Sequence, residues 1–241
     1  MKNKFDVKTK LIFKKKFIKP NQIPGRPLLI YDSYFDNLTT KTNVPLKKWI
    51  QSFEYKYSVD AGEKLKSLNA FPTHMEKILS LVEKINSKDV TIVALGGGSV
   101  GDFAGFVASI LKRGVRLVHI PSTWLAAIDS SHGGKTALNV SGYKNQIGTF
   151  YPAEQVILIQ ELLSHQPVER LQDSFSEAIK IALLQGGALW KKFSKLKKWD
   201  ENSLWKILPD LIKGKYSVVA RDPYEKKGIR HILNLGHTMG H

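Results

Sequence analysis

The chain has 241 residues, 42% of them hydrophobic, a length and apolar content that suit a folded protein with a sizeable core and argue against a mostly disordered one. It has no cysteine, so disulfides and thiolate metal sites are excluded and any metal must rest on His, Asp or Glu; no apolar run approaches the ~20 residues that span a bilayer. Its formal net charge of +16 would by itself suggest a nucleic acid partner.

The charge is distributed in a way that weakens that suggestion. Eight lysines fall in residues 1–19 and five in KKFSKLKK at 191–198, and neither run carries the interleaved aromatics and glycines of a nucleic-acid-binding sheet. Both read as solvated surface. Basic surroundings of this kind still favour the approach of a substrate bearing phosphate and carboxylate. The Lys-rich start has no apolar stretch of signal-peptide type behind it, which predicts a cytoplasmic protein with no membrane partner.

In chain order, residues 28–31 and 55–59 read as strands. Residues 73–86 place Met75, Ile78, Leu79, Val82 and Ile85 at helical spacing, with Thr73 as the expected N-cap and these apolar side chains as core. Residues 90–95 form a continuous β-branched and apolar run of the kind a parallel sheet buries, with three glycines directly behind it. A helix over 100–111 and a strand over 115–120 complete a βαβ unit, which implies an α/β sheet. After a last strand at 156–159, helices are expected over 167–184 and 202–220. The change of character places a domain boundary near 160, and ligand sites favour such clefts.

Four motifs carry chemistry. GGGSVGD at 96–102 allows a sharp turn after the strand and close approach of backbone N–H groups to a pyrophosphate; its spacing differs from the usual GxGxxG pattern, and a tight strand-to-helix turn would explain it equally. Asp102 is either a helix cap or a ligand for ribose or nicotinamide. In IDSSHGGKTALN at 128–139, Asp129 and Lys135, with Lys144 and Asn145 beyond, set cations and amides in glycine-rich backbone suited to phosphate; solvated loop lysines are the bland alternative. Glu177 in SEAIK would ordinarily face solvent. His237 and His241 in GHTMGH at 236–241 share a helix face, as a metal-binding or acid–base pair must, although structural histidines show the same spacing.

Together with AGEKLK, RGVRLVHIPSTWLAAIDSSHGGKTALN, YKNQIGTFY, KYSVVARD and GIRHILNLGHTMGH, these motifs resemble the 3-dehydroquinate synthases of the sugar phosphate cyclase superfamily, from about residue 60 onward. The resemblance implies an α/β fold with an N-terminal Rossmann-like NAD-binding domain (1–160) followed by an α-helical metal-binding domain (161–241). It implies conversion of 3-deoxy-arabino-heptulosonate 7-phosphate to 3-dehydroquinate and phosphate in the shikimate pathway, through transient oxidation by NAD, phosphate elimination and intramolecular aldol closure. NAD, a divalent metal (Zn or Co) and a homodimer come with it.

Position by position, it assigns Glu177 and His237 to the metal and His241 to catalysis. Lys135, Asn145 and a neighbouring subunit's Arg113 match the phosphate set; Lys215, Arg230 and Asn234 the carboxylate set; Asp129, Lys180 and Glu225 the ring-hydroxyl set. For NAD it matches Asp32, Glu63, Lys66, Gly98, Ser99, Val100, Gly101, Asp102, Ser122, Thr123, Lys135 and Lys144. The chain departs from the pattern at Ser122-Thr123 for a threonine pair, at His165-Gln166-Pro167 for threonine-leucine-proline, and in the longer DPYEKKG spacing at 222–228. The family's third metal ligand lies beyond the GHTMGH block, where these 241 residues stop; two protein ligands hold a catalytic metal poorly, so inefficient turnover by this chain alone is expected. The alternatives are a cyclase acting on sedoheptulose 7-phosphate or glucose 6-phosphate, a metal-dependent polyol dehydrogenase, and a non-catalytic NAD-binding remnant. A substrate without a carboxylate would have no use for both Lys215 and Arg230.

Overall fold

A computed structural model describes residues 9–38, 43–166 and 168–235; Pro167, His237 and His241 lie outside them. Six strands build one parallel sheet: β1 (Lys10–Lys14), β2 (Arg26–Asp32), β3 (Tyr55–Val59), β4 (Val90–Gly96), β5 (Arg116–Pro121) and β8 (Gln155–Ile159), in the order β1-β8-β5-β4-β2-β3. The unbroken apolar runs are explained by burial on both faces. Along β4, Val90, Ile92 and Ala94 join one core cluster while Val93 and Leu95 join the other, and β2 divides Leu28 and Ile30 from Leu29 and Tyr31 in the same way. A strand covered on both sides has no polar position to alternate with.

Helix α1 (Val44–Gln51) covers the second face through Leu46, Trp49 and Ile50, while α2 (Phe71–Ile85) and α3 (Gly98–Ile110) cover the first. The order of strands shows that the chain reverses its direction across the sheet between β2 and β4. At such a switch point the carboxyl ends of the two strands open a crevice. A separate antiparallel ribbon, β6 (Lys135–Val140) with β7 (Tyr143–Phe150), packs on α3, where Thr136 leaves no room for a side chain at Gly105. Beyond β8 the chain is helical: α4 (Gln160–Leu163), α5 (Val168–Gln185), α6 (Gly187–Phe193), α7 (Glu201–Val219) and a 3-10 segment, Ile229–Asn234. Among the described residues, no helix is long and apolar enough to cross a membrane. The lysines of 191–198 are exposed, as their reading as solvated surface requires.

Several expectations need correction. Helix α2 begins at Phe71 with Ala70 as N-cap, so Thr73 does not cap it; Pro72 sits in the first turn, where its missing N–H costs nothing. Leu79 is exposed although Ile78, Val82 and Ile85 are buried, because it lies one residue, about 100°, off the stripe they define. Helix α3 starts at Gly98, which moves Asp102 into the second turn and removes capping as its role. Of the GGK segment, Lys135 opens β6, while Gly133 and Gly134 form the irregular backbone before it. Strand β1, helices α1 and α6 and the β6–β7 ribbon have no counterpart in the sequence reading.

Phe103 is fully buried and packs edge-on against Phe71 and His74. Phe103→Ala is expected to cost about 3–5 kcal/mol, whereas Leu79→Ala should stay within about 0.5 kcal/mol. Urea denaturation of the two variants checks the assignment; equal losses would contradict it.

Candidate functional site

Two concavities meet at the carboxyl ends of the strands. The first, a groove of about 590 Å³, is bordered by Asp32 at the end of β2, Asp60 to Gly62 after β3, Gly97 to Ser99 after β4, Thr123 and Leu125, and Gln166, Arg170 and Asp173 from the helical region. It follows from the glycine turn. A Cβ at Gly96 would lie 2.6 Å from that of Val100, so only glycine lets α3 start so close to the strand. Gly97 caps α3 without any side-chain hydrogen bond, which leaves the first-turn N–H groups and the positive end of the helix directed at the groove. The hydroxyl of Ser99 accepts from the Gly62 N–H at 2.9 Å and joins the two rims. Burial pushes the Asp32 carboxyl up from its usual range, while its hydrogen bond from the Tyr34 N–H and the nearby Arg170 oppose that rise.

The second concavity, about 530 Å³, lies between the ribbon, the turn after β5 and the helical region; Asp102, Asp129, His132, Lys135, Lys215 and Arg230 are on its walls. The lysines on and behind its walls come paired with carboxylates. Lys66 Nζ is 2.8 Å from Asp102 Oδ2 and 2.5 Å from Asn145 Oδ1. Lys135 pairs with Glu225 at 2.6 Å and Lys180 with Glu177 at 2.6 Å. Lys215 holds both the carboxylate and the backbone carbonyl of Asp129. Among the described residues Arg230 has no such side-chain ion-pair partner and donates to the carbonyls of Gly133 (3.2 Å) and Pro223 (3.0 Å), with its guanidinium 5.9 Å from the Phe150 ring centre. A Cβ on Gly133 would meet Arg230 Nη2 at 2.5 Å, so this glycine is what admits the arginine.

Burial sets the electrostatics. Lys215 is 4% exposed; burial would raise the Asp129 carboxyl, but the Lys215 ammonium outweighs it and holds Asp129 below the usual range. Glu177 is raised by burial and then by Asp129, against the pull of Lys180. Its Oε1 is buried and has no hydrogen-bond partner among the described residues, the condition of a carboxylate with one oxygen left for a cation. Among the described residues no three His, Asp or Glu side chains converge as a metal site, and His237 and His241 lie outside that set. His132, which sequence reasoning passed over inside its own SSHGGK segment, is buried with Nε2 2.8 Å from the Ala127 carbonyl; its pKa falls to about 3, mainly through burial and then Lys215. Burial alone lowers His119 to about 4.

The sequence-derived residues thus separate into groups. Asp32, Gly98, Ser99 and Thr123 border the groove. Val100 and Ser122 are buried behind it, and Gly101 faces His119. Asp102, Asp129, Lys135, Asn145, Lys215, Glu225, Arg230 and Asn234 share the second cavity. Glu63 turns to the ribbon, bonding Asn139 Nδ2 at 2.7 Å, and Lys144 is exposed there. Arg113 lines neither of them but a third cavity, with Tyr151 and Tyr224. Gln166, of the His165-Gln166-Pro167 departure, borders the groove, as do Arg170 and Asp60, which were not singled out because sequence separation hides their convergence.

The site permits two stability predictions. Asp129→Ala strands a buried ammonium and should cost about 3 kcal/mol or more, whereas Lys215→Met leaves a carboxylate whose side chain is 34% exposed and can still reach water, and should cost less; denaturant titration of both variants tests the order. The two histidines are neutral when folded and titrate near 6.5 when unfolded, so the unfolded chain binds more protons below that value and stability falls as pH drops. From pH 7 to 5 the loss is at most about 2 kcal/mol for each. His119→Gln should remove its share, measured as a smaller shift of the denaturation midpoint between those pH values.

Comparison with known proteins identifies the family. A family model described as 3-dehydroquinate synthase N-terminal matches residues 56–173, and one described as 3-dehydroquinate synthase C-terminal matches residues 174–241. The 3-dehydroquinate synthase of Saccharolobus solfataricus is 37% identical over 195 residues, covering 78% of this chain and 53% of its own length. That of Thermoplasma volcanium is 40% identical over 189 residues, 77% of this chain and 51% of its own. The chain therefore spans about half the length of the curated relatives it matches. A crystal structure of 2-deoxy-scyllo-inosose synthase complexed with carbaglucose-6-phosphate, NAD+ and Co2+ superposes with a TM-score of 0.76 at 26% identity, covering 96% of this chain and 64% of that one.

Proposed function

This chain belongs to the 3-dehydroquinate synthase family, and from that membership and the charge pattern of its cavity we propose that it serves the 3-dehydroquinate synthase reaction, 3-deoxy-arabino-heptulosonate 7-phosphate to 3-dehydroquinate and phosphate. The observation that carries the reading is the convergence of Lys135, Lys215 and Arg230 on one cavity next to the glycine-turn groove. A substrate with phosphate at one end and carboxylate at the other needs cations at both.

The groove suits NAD. Around Gly97 a Cβ would find only Thr123, at 3.5 Å and beyond, so the turn leaves room beside free helix N–H groups for a pyrophosphate. Glu177 suits a divalent ion, Zn or Co, because its Oε1 is buried with no partner among the described residues and a cation would favour the ionised carboxylate that burial disfavours; His237 is the second proposed ligand. When bound, NAD would supply reversible oxidation of a ring alcohol, and the metal would acidify that alcohol.

The chain's own groups do the rest. Lys135 and Asn145 bind the phosphate, and Lys215, Arg230 and Asn234 the carboxylate end. Asp129, kept anionic by Lys215, accepts from ring hydroxyls, as does Glu225. Lys180 fixes the rotamer of Glu177 from 2.6 Å and faces the ring, with His241 as the proton-transfer group. Asp32, Gly98 to Asp102, Ser122, Thr123, Glu63, Lys66 and Lys144 form or support the NAD site. Because Lys135 and Lys215 already hold carboxylates, an anionic substrate exchanges one partner for another and no bare cation has to be maintained. We place the protein in the cytoplasm as a homodimer in which Arg113 of one copy completes the other's phosphate site, with no nucleic acid or membrane partner.

Phosphate release from the heptulosonate phosphate, dependent on both NAD+ and Zn2+ or Co2+, tests the reaction; release from sedoheptulose 7-phosphate or glucose 6-phosphate in its place would favour another cyclase. Binding isolates the carboxylate set. Arg230→Ala should weaken the carboxylate-bearing substrate about 10- to 100-fold and leave sedoheptulose 7-phosphate within twofold, by calorimetry in the presence of NAD+.

A further inference from the structure

His132 is 2% exposed on the wall of the second cavity, just after the turn that carries Asp129. That turn, Ala126–Ser130, is a wide, π-type one and closes with the Ser131 N–H on the Ala126 carbonyl at 3.1 Å. At the next residue the pattern breaks. The His132 N–H goes to the Asp129 carbonyl at 3.0 Å, and it is the imidazole Nε2 that meets the Ala127 carbonyl, at 2.8 Å. A carbonyl only accepts, so Nε2 carries the ring hydrogen and the neutral ring keeps a lone pair on Nδ1.

The lone pair meets α7. The Tyr216 hydroxyl lies 3.3 Å from Nδ1 and donates to it, with the two rings edge to face at 5.4 Å. Tyr216 directly follows Lys215, which grips Asp129. The turn and the helix are thus joined at two adjacent points, once by charges and once through the imidazole. A lysine on its flexible stem fixes a distance but lets the turn pivot, whereas a second link through a planar ring also fixes the direction in which residue 129 points. Both ring nitrogens are engaged in this link, and burial keeps the ring neutral beside Lys215.

We infer that His132 is a positioning residue for Asp129: its imidazole, held between the Ala127 carbonyl and the Tyr216 hydroxyl, sets the turn after β5 on α7 with the Asp129 carboxylate at the cavity wall. The inference rests on the proposed role of Asp129 as acceptor of ring hydroxyls and deepens it. Neither His132 nor Tyr216 is among the residues assigned above to metal, cofactor or substrate. The ion pair supplies the charge at this point, and the imidazole supplies its aim.

Two measurements on the purified chain test this. With isotope-labelled histidine, long-range proton–nitrogen NMR should show His132 as the Nε2–H tautomer with Nδ1 a hydrogen-bonded acceptor, and Tyr216→Phe should move the Nδ1 resonance to that of a free acceptor. Calorimetric binding of the heptulosonate phosphate, with NAD+ present, gives the functional readout. His132→Leu should weaken binding about tenfold or more, while His132→Gln, whose amide nitrogen can still donate to the Ala127 carbonyl, should stay within about threefold. Because the residue acts through Asp129, adding His132→Leu to Asp129→Asn should cost less than about twofold, whereas a general loss of packing would cost the same with or without Asp129→Asn. Tyr216→Phe, which keeps the ring packing, runs through the same cycle and should lose about threefold only where Asp129 is intact. Equal losses in the two backgrounds, or an Nδ1 resonance unmoved by Tyr216→Phe, overturn the role of His132 and leave the proposed reaction standing. A parent that does not bind the heptulosonate phosphate overturns the reaction reading, and the inference falls with it.

Discussion

The ion pair between Lys215 on α7 and Asp129 in the turn after β5 is the contact on which the site's geometry rests. A lysine as deeply buried as Lys215 keeps its proton only with a carboxylate beside it, so α7 must dock at the carboxyl ends of the sheet. The consequences run along the chain. With α7 in place, α5 packs along it at Gly214, where Ile181 and Gln185 leave no room for a Cβ, and this sets Glu177 and Lys180 behind the cavity. The segment after α7 is then turned by Asp222, whose carboxylate accepts from the N–H groups of Lys227 and Arg230. That turn carries Glu225 to Lys135 and Arg230 to Gly133.

Two kinds of positive charge serve two ranges. The exposed lysines outside the site create a field that reaches over about 10 Å in physiological salt and draws anions in without choosing among them. Lys66, Lys180 and Lys215 are buried, and each has a carboxylate partner. Such pairs cannot attract at a distance; they discriminate at contact, because only a ligand whose anionic groups match their spacing can replace the carboxylates they already hold. The groove and the cavity meet where this selection matters: a Cβ at Gly98, on the groove side, would come within 3.3 Å of Ser130 Oγ, on the cavity side. A cofactor in one and a substrate in the other would be neighbours at that point.

What could be read from the sequence was what local physics dictates. The unbroken apolar run at 90–95 signals a strand buried on both faces, the glycines behind it signal a sharp entry into a helix, and together they specify a parallel α/β sheet with an anion-competent helix start. Charge partners were not legible in this way. Glu177, three residues from Lys180 on an amphipathic helix, reads as solvent-facing and is in fact buried, because what covers that face is the turn after β5 and the segment ending at Leu233, both far away in sequence. Leu79 errs the other way: the spacing counts it as core, but the stripe that the sheet covers is narrower than the run of apolar residues.

The sequence by itself determined the central strands and main helices, the family and the kinds of groups available, since hydrophobic period, glycine placement and motif order are properties of neighbouring residues. The tertiary structure alone decided which lysine holds which carboxylate, which oxygen of Glu177 has no partner among the described residues, and that the Gln166 side chain accepts from the Trp124 N–H. These depend on pairings such as 129 with 215, 135 with 225 and 124 with 166. No local preference encodes them; burial imposes them, because charges and amides removed from water must find partners wherever the packed elements bring them.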